Sequence, residues 1–279
     1  MTIVHHAGRL ARLVVHESGA ILRDFKRAWR ILWALTAIET QRKYAGSILG
    51  TLWYPTYAAL LLASYCFVYL VVLRMRFKEF GSYEYVLFVF AGLIPYLGLS
   101  EAVTTSTASV RQNLGILKNA VFPIEFVPVK FVCAALVGLF SSLAILLLML
   151  LPTRYLGWHL AYLPVAIALL FAFCVMVAWA LSAVAVFVPD LLQLINIVLL
   201  LLMFISPVGY TLDMVPERAR FLVYFNPLTY LIEAFRFALL GIRYLPFWVD
   251  VAFGGICVAG AALTGTFFRR LVPIFADYE

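Results

Sequence analysis

Charge is what this sequence has least of. Asp, Glu, Lys and Arg make up 13% of its 279 residues and hydrophobic residues 65%, where soluble domains run at about a quarter charged and about half apolar. That shortage leaves almost nothing from which to build a soluble domain. The charges are also missing in blocks. Ile48–Leu73, Phe131–Thr153 and Leu191–Leu212 hold none, and Tyr155–Pro189 holds only His159. A hydrocarbon core of ~30 Å takes roughly 20 such residues as helix, so each block can cross a bilayer. Catalytic signatures are missing too. There is no G-x-x-x-x-G-K-[ST], no H-E-x-x-H and no G-x-S-x-G, which excludes a P-loop ATPase, a zincin and an α/β-hydrolase. No two acidic residues stand close enough for the metal–diphosphate site of a membrane transferase. Cys66, Cys133, Cys174 and Cys257 lie inside apolar runs without paired spacing and read as small buried hydrophobes, with no metal or disulfide role. Residues 1–20 lack a continuous apolar stretch, so no cleavable signal peptide is expected. His5 and His6 read as solvated and His16-Glu17 as a surface pair.

What is present is a membrane topology. The net charge of +7 comes from basic residues at the ends of apolar runs, which points to orientation in a bilayer rather than to nucleic acid. Residues 1–40 form a tail and an amphipathic helix: Leu22, Phe25, Trp29, Leu32, Trp33 and Thr36 recur at helical spacing, with Arg23, Asp24, Lys26, Arg27 and Arg30 opposite. Such a helix lies in the interface plane or packs on a partner. Residues 41–279 form the transmembrane domain, with spans near 48–73, 84–103, 131–151, 161–188, 191–208 and 251–268. Asp190 is placed to cap the fifth span. That span meets Pro207 and Gly209 early, and two short pieces follow, Met214–Tyr224 and Leu228–Leu240, the second opened by Asn226-Pro227. Neither crosses a bilayer, so 209–240 reads as a re-entrant region, which requires burial in protein or a cavity. The expected fold is an all-α integral membrane protein of six transmembrane helices, with an N-terminal interface helix and re-entrant half-helices between the fifth and sixth. Six spans put both termini on one side, and thirteen of the 21 Lys and Arg fall on that side, which makes it cytoplasmic.

Polar residues inside spans mark candidate sites. Ser47, Thr51, Tyr54, Tyr65 and Tyr69 fall near one face of the first span, and Gln193, Asn196 and Ser206 do the same on the fifth. They line an interior path or bond between helices. Tyrosine faces suit sugar, because aromatic rings stack on its C–H faces and hydroxyls exchange hydrogen bonds with its own. Arg42 and Lys43, at the mouth of the first span, could meet an anionic lipid head group or serve only as topology signals. Glu233 and Arg236, spaced i, i+3, form a plain pair or a latch.

Four stretches in order carry a family resemblance: Arg42–Pro55; Asn113–Lys118 with Phe122–Pro128; Ser206–Tyr210 with Met214–Glu217, Asn226–Thr229 and Glu233–Arg236; and Phe268–Asp277. Together they resemble the membrane subunit of ABC-2 type transporters, in the branch that exports lipid-linked polysaccharides (O-antigen, capsule, teichoic acid). One departure is Pro189-Asp190, where that family usually has Arg-Asp. The resemblance implies a permease of the bacterial inner membrane that is not itself an enzyme. It implies a homodimer with a separate ATPase subunit that binds ATP and Mg, and no cofactor on this chain. Arg111, Gln112, Asn113, Leu117 and Lys118 would then form the coupling contact with the ATPase, and its motion would pass to the first and fifth spans. Pro207, Tyr210, Asn226, Pro227, Glu233 and Arg236 would belong to an external gate. The rival readings are an ABC-2 permease for a drug or lipid, a membrane-embedded glycosyl- or prenyl-transferase, and a passive channel.

Overall fold

The computed structural model describes residues 29–72, 81–113 and 123–275, and these are helices and turns with no strand among them. Helix α1 covers 29–43. Helix α2, Trp53–Cys66, is continued by a 3-10 turn before it and a π turn after it, so that Gly50–Val72 is one rod. Then come α3, Ser82–Gln112, α4, Phe126–Leu150, and α5, Leu163–Phe187, which a 3-10 turn at Trp158–Tyr162 precedes. Helix α6 is Leu191–Ile205, α7 Arg220–Phe225, α8 Pro227–Leu240 and α9 Phe247–Phe275. Five of these rods, built on α2, α3, α4, α5 and α9, are long and apolar enough to cross a membrane, so the chain is a multi-pass membrane protein. Helix α6, at 15 residues and ~22 Å, is shorter than a bilayer core of ~30 Å.

Helix α3 is the centre of the bundle. It packs on α4, α5 and α8, and α9 lies along the outer side of α5. More than three quarters of its apolar window is buried, against about a tenth for α2. Helix α2 offers the core only Tyr54, Ala58 and Leu62, a single i, i+4 stripe. Helix α6 offers only Ile195 and Leu199, and leaves Leu194, Ile197, Leu201 and Phe204 exposed.

Several boundaries differ from the sequence reading. Helix α3 runs nine residues past 103, because the hydroxyls of Thr105 and Thr107 bond back to the carbonyls of Glu101 and Val103 instead of opening the chain. Helix α4 begins at Phe126 rather than 131, with Pro128 tolerated in its first turn. Helix α9 covers 247–275 rather than 251–268. The 161–188 span begins as a 3-10 turn, with α5 starting at Leu163. The piece expected at Met214–Tyr224 is two 3-10 turns, Leu212–Met214 and Glu217–Ala219, followed by α7. Asp190 stands at the N-cap of α6, but its side chain makes no cap bond there; its carbonyl accepts from Gln193 and Leu194. The expected amphipathic helix over 21–36 falls partly outside the described residues. Within α1, Leu32 and Thr36 are buried while Trp29 and Trp33 face outward, 5.4 Å apart edge to face.

Helix α8 has the clearest local origin. Asn226 Oδ1 accepts the Leu228 N–H at 2.9 Å, Pro227 fills the first helical position, and Gly241 closes the helix at φ +70°, where a Cβ would be strained. Only Pro227 and Tyr230 of its fourteen residues escape full burial. Asn226 also donates to Ser206 Oγ at 2.6 Å, which ties the start of α8 to the end of α6. Asn226→Ala should therefore lower the stability of the solubilised protein by ~1–2 kcal/mol, read as a fall in melting temperature.

Candidate functional site

Among the described residues, two polar sites gather most of the candidate residues read from the sequence. The one that is inner in the orientation expected from the charge bias is a cleft where the end of α1, the start of α2, the second half of α3 and the middle of α4 meet. It encloses about 410 Å³, with walls from Tyr44, Tyr54, Tyr57 and Tyr96, from Ser100, Thr104, Thr105 and Ser142, and from Lys43 and Glu101. A chamber of about 180 Å³ adjoins it, sharing Lys43, Tyr54, Glu101 and Thr105 and adding Glu39 and Arg42. Gly46 and Gly50, at φ +81° and +51°, make the tight reversal from α1 into α2 that brings Lys43 over Tyr54.

The Lys43 ammonium meets Glu101 Oε1 at 2.6 Å and lies 5.1 and 4.8 Å from the ring centres of Tyr44 and Tyr54. Lys43 is thus neutralised within the protein, and Arg42 stands beside it in the smaller chamber. The Tyr54 hydroxyl is buried and has no hydrogen-bond partner among the described residues. A buried polar group in that state costs ~1–3 kcal/mol. Gly138 makes its position possible: a Cβ there would lie 2.8 Å from Tyr54 Cδ1 and 3.0 Å from Glu101 Oε2. The result is a neutral pocket of aromatic faces and hydroxyls with one unspent hydrogen-bonding group.

The outer site is built around Arg236, which is fully buried on α8. Its guanidinium lies 3.5 Å from the centre of the Phe88 ring, and Nη2 donates to the Val208 carbonyl at 2.7 Å. Gly92 on α3 allows this, because a Cβ would sit 3.3 Å from the Val208 backbone and 3.2 Å from Nη2. Glu233, equally buried, is 3.8 Å from Nη1, a charge contact without a hydrogen bond. Its other oxygen accepts the Tyr244 N–H at 2.9 Å. Tyr85 donates to the Gly209 carbonyl at 3.0 Å, and Tyr210 donates to the Ile205 carbonyl. Tyr65 and Tyr69 stack 5.9 Å apart beside Tyr85.

These positions divide the path expected from the sequence. Tyr54 belongs to the inner cleft, while Tyr65, Tyr69 and Ser206 belong with the outer site. Ser47 accepts from Trp53 Nε1 on the surface, and Thr51, Gln193 and Asn196 are exposed. Of the gate residues, Pro207, Asn226, Glu233 and Arg236 are buried and Tyr210 partly so, and Pro227 follows Asn226 at the start of α8. Arg111 and Gln112 are exposed in the last turn of α3, and Asn113 caps it through Nδ2 to the Ser109 carbonyl at 2.7 Å. Leu117 and Lys118 lie outside the described residues.

Sequence reasoning missed four ion pairs: Lys43–Glu101, Glu39–Lys130 at 2.8 Å, Glu125–Arg269 at 2.6 Å and Arg243–Asp250 at 2.8 Å. Only the last two residues are near in sequence, and the available signal was a shared one: each charge stands at or inside the end of an apolar run.

A family model described as ABC-2 type transporter matches residues 23–240. The chain is 26% identical over 219 residues to the O-antigen export system permease protein RfbA of Myxococcus xanthus, covering 77% of this chain and 82% of that protein. It is 26% identical over 210 residues to a protein of the same description from Klebsiella pneumoniae, covering 74% and 78%. The family match takes in both polar sites and stops at Leu240, so α9 lies beyond it.

Arg236→Met leaves the Glu233 carboxylate buried beside an apolar side chain. It should destabilise the protein by ~3–5 kcal/mol. The double variant Glu233→Gln/Arg236→Met should lose less than the single one, as measured by thermal unfolding in detergent; equal losses would mean that the two charges do not interact.

Proposed function

Because the chain belongs to the ABC-2 type transporter family, we propose that it is the transmembrane subunit of an ATP-driven exporter that moves a lipid-linked polysaccharide out of the cytoplasm. The observation that carries the substrate class is the inner cleft. Its tyrosine rings offer faces for the C–H sides of a sugar, its serines and threonines offer exchangeable hydroxyls, and the Lys43–Glu101 pair offers a donor and an acceptor with no net charge. An aliphatic lining would have suited a drug or lipid instead. The likeness to O-antigen export permeases supports the same class.

On this reading the protein works as a homodimer in the bacterial inner membrane, with both termini cytoplasmic. A separate ABC ATPase subunit binds ATP and Mg and docks on the segment that begins with Arg111, Gln112 and Asn113 and continues through Leu117 and Lys118. Support for a second copy comes from the rod built on α2 and from α6, whose sides carry exposed Leu60, Phe67 and Val71, and Leu194, Ile197 and Phe204; these rows face lipid or the other copy. The polymer passes along these two helices. Helix α6 and the turn at Ser206–Thr211 complete a sixth crossing, and the segment to Leu240 is re-entrant and forms the external gate. Helix α1 lies at the inner interface, with Trp29 and Trp33 toward lipid, and Arg42 meets the anionic linkage of the lipid carrier. Export is then a shift between two discrete bundle states.

Co-purification from the native membrane tests the reading, with the eluate assayed for ATPase activity and bound lipid-linked glycan; a lone subunit without ATPase would overturn it. Arg220→Cys should react with an impermeant reagent from outside and Gly115→Cys should not, and the reverse pattern would invert the topology. Tyr54→Phe removes an unpartnered hydroxyl, so the protein should be at least as stable as before. Export should nevertheless fall roughly threefold to tenfold, the value of one hydrogen bond to substrate, as measured by glycan appearing outside reconstituted vesicles.

A further inference from the structure

Glu125 closes the segment that follows the proposed ATPase contact, and it is held twice. Its Oε1 lies 2.6 Å from Arg269 Nε of α9 in an ion pair, with both side chains largely buried, and its carbonyl accepts from Trp179 Nε1 of α5 at 2.8 Å. Two of the stretches that carried the family resemblance in the sequence meet here, although they are distant along the chain. The neighbouring turn of α4 is tied to α1 through Lys130 and Glu39.

From Arg269 the helix runs without a break to its other end, since Pro273 lies on the far side of Arg269. Asp250 stands nineteen residues before Arg269, about 28 Å along the axis. Asp250 Oδ2 accepts from Arg243 Nη2 at 2.8 Å and from the Tyr162 hydroxyl at 2.5 Å. The Arg243 guanidinium is 3.8 Å from the centre of the Phe247 ring and 5.3 Å from that of Phe237. Arg243 is the third residue after α8, and the next residue, Tyr244, donates its N–H to Glu233. Glu233 in turn faces Arg236, which holds the Val208 carbonyl of the gate turn.

An apolar contact resists compression but yields when drawn apart; a short ion pair resists both. A straight helix packed along one neighbour and pinned by such a pair near each end transmits displacement along its axis. We infer that α9 is a connecting rod that carries the movement of the ATPase contact to the external gate, with Glu125–Arg269 as its inner joint and Asp250–Arg243 as its outer one. Glu125, Arg269, Asp250 and Arg243 are thus positioning residues for export. The inference rests on the ATPase-driven reading above, and it assigns the stroke to α9 and α5 in addition to α2 and α6.

The test uses the complex with its ATPase in lipid nanodiscs for labelling and in vesicles for export. Trp248→Cys, at an exposed position near Asp250, is placed in a Cys66→Ala background and labelled with an impermeant maleimide with and without ATP. The wild-type background should show an ATP-dependent change in labelling rate. Glu125→Gln and Arg269→Gln should keep ATP hydrolysis within about twofold, lose that change, and lower export at least about fivefold. The swapped pair Glu125→Arg/Arg269→Glu should recover both signals. Asp250→Asn, at the outer joint, should show the same loss, which guards against misfolding of the swap. ATP-dependent labelling that survives in the Gln and Asn variants overturns the rod alone. A background protein that ignores ATP and carries no ATPase overturns the exporter reading and the rod with it.

Discussion

The hydrocarbon interior offers no water to a polar group, and this constraint organises the molecule. A charge kept at that depth must be matched within the protein. The chain answers with opposed pairs, and most of them join different elements. Lys43–Glu101 joins α1 to α3, Glu39–Lys130 joins α1 to α4, and Glu125–Arg269 joins the base of α4 to α9. Apolar packing in a bilayer discriminates weakly between helix arrangements, because lipid tails are as apolar as leucine. The pairs discriminate strongly, since a wrong register would leave two charges unmatched at once. Few as they are, the charges fix which helix lies against which.

The pairs differ in how completely they are satisfied, and the differences follow position. At the ends of α1 and α4 and at both ends of α9 the contacts are short, 2.6–2.8 Å. Glu233 and Arg236 stand 3.8 Å apart, and Arg236 spends its hydrogen bond on the Val208 carbonyl instead. A tightly closed pair has one low-energy arrangement. A loose pair, with one member bound to backbone and the other to a neighbouring loop, can exchange partners at small cost, which is the property a two-state element needs. The loose pair sits where the chain turns back at Pro207, on the segment read as the gate.

The sequence makes the apolar framework legible and hides the links across it. Charge-free runs announce helices α2, α4 and α5, because bilayer thickness sets a length that chance rarely meets; the run over 191–212 announces α6 but overstates its length, since the helix ends at Ile205. Asn226-Pro227 announces the start of α8, because capping is local chemistry. The far end of α3 was misread because Thr105 and Thr107 look like loop residues until their hydroxyls turn back onto the helix. Asp190 shows the opposite error: the position was right and the side-chain bond absent. The partners of Lys43, Lys130 and Arg269 were beyond reach. Periodicity reports neighbours three or four residues apart, whereas these pairs close over long stretches of chain.

Helix α8 shows why the distinction matters for function. Glu233 and Arg236, spaced i, i+3, read from the sequence as a plain pair or a latch, and the structure adds that nearly every residue of α8 is buried against α3 and α5. A short helix buried on most of its sides cannot move by itself without opening its surroundings. Gly92 and Gly241 show how closely it is fitted: one lets Val208 and Arg236 approach α3, and the other ends the helix in a conformation closed to most side chains. Whatever opens the outer end must therefore move α8 together with the helices that clamp it. The elements positioned for that are α5, which packs on both α8 and α9, and α9, whose first turn grips the loop leaving α8. On the proposed reading the gate is then a boundary between packed bodies rather than a flap, and short charged pairs hold those bodies at both ends of α9.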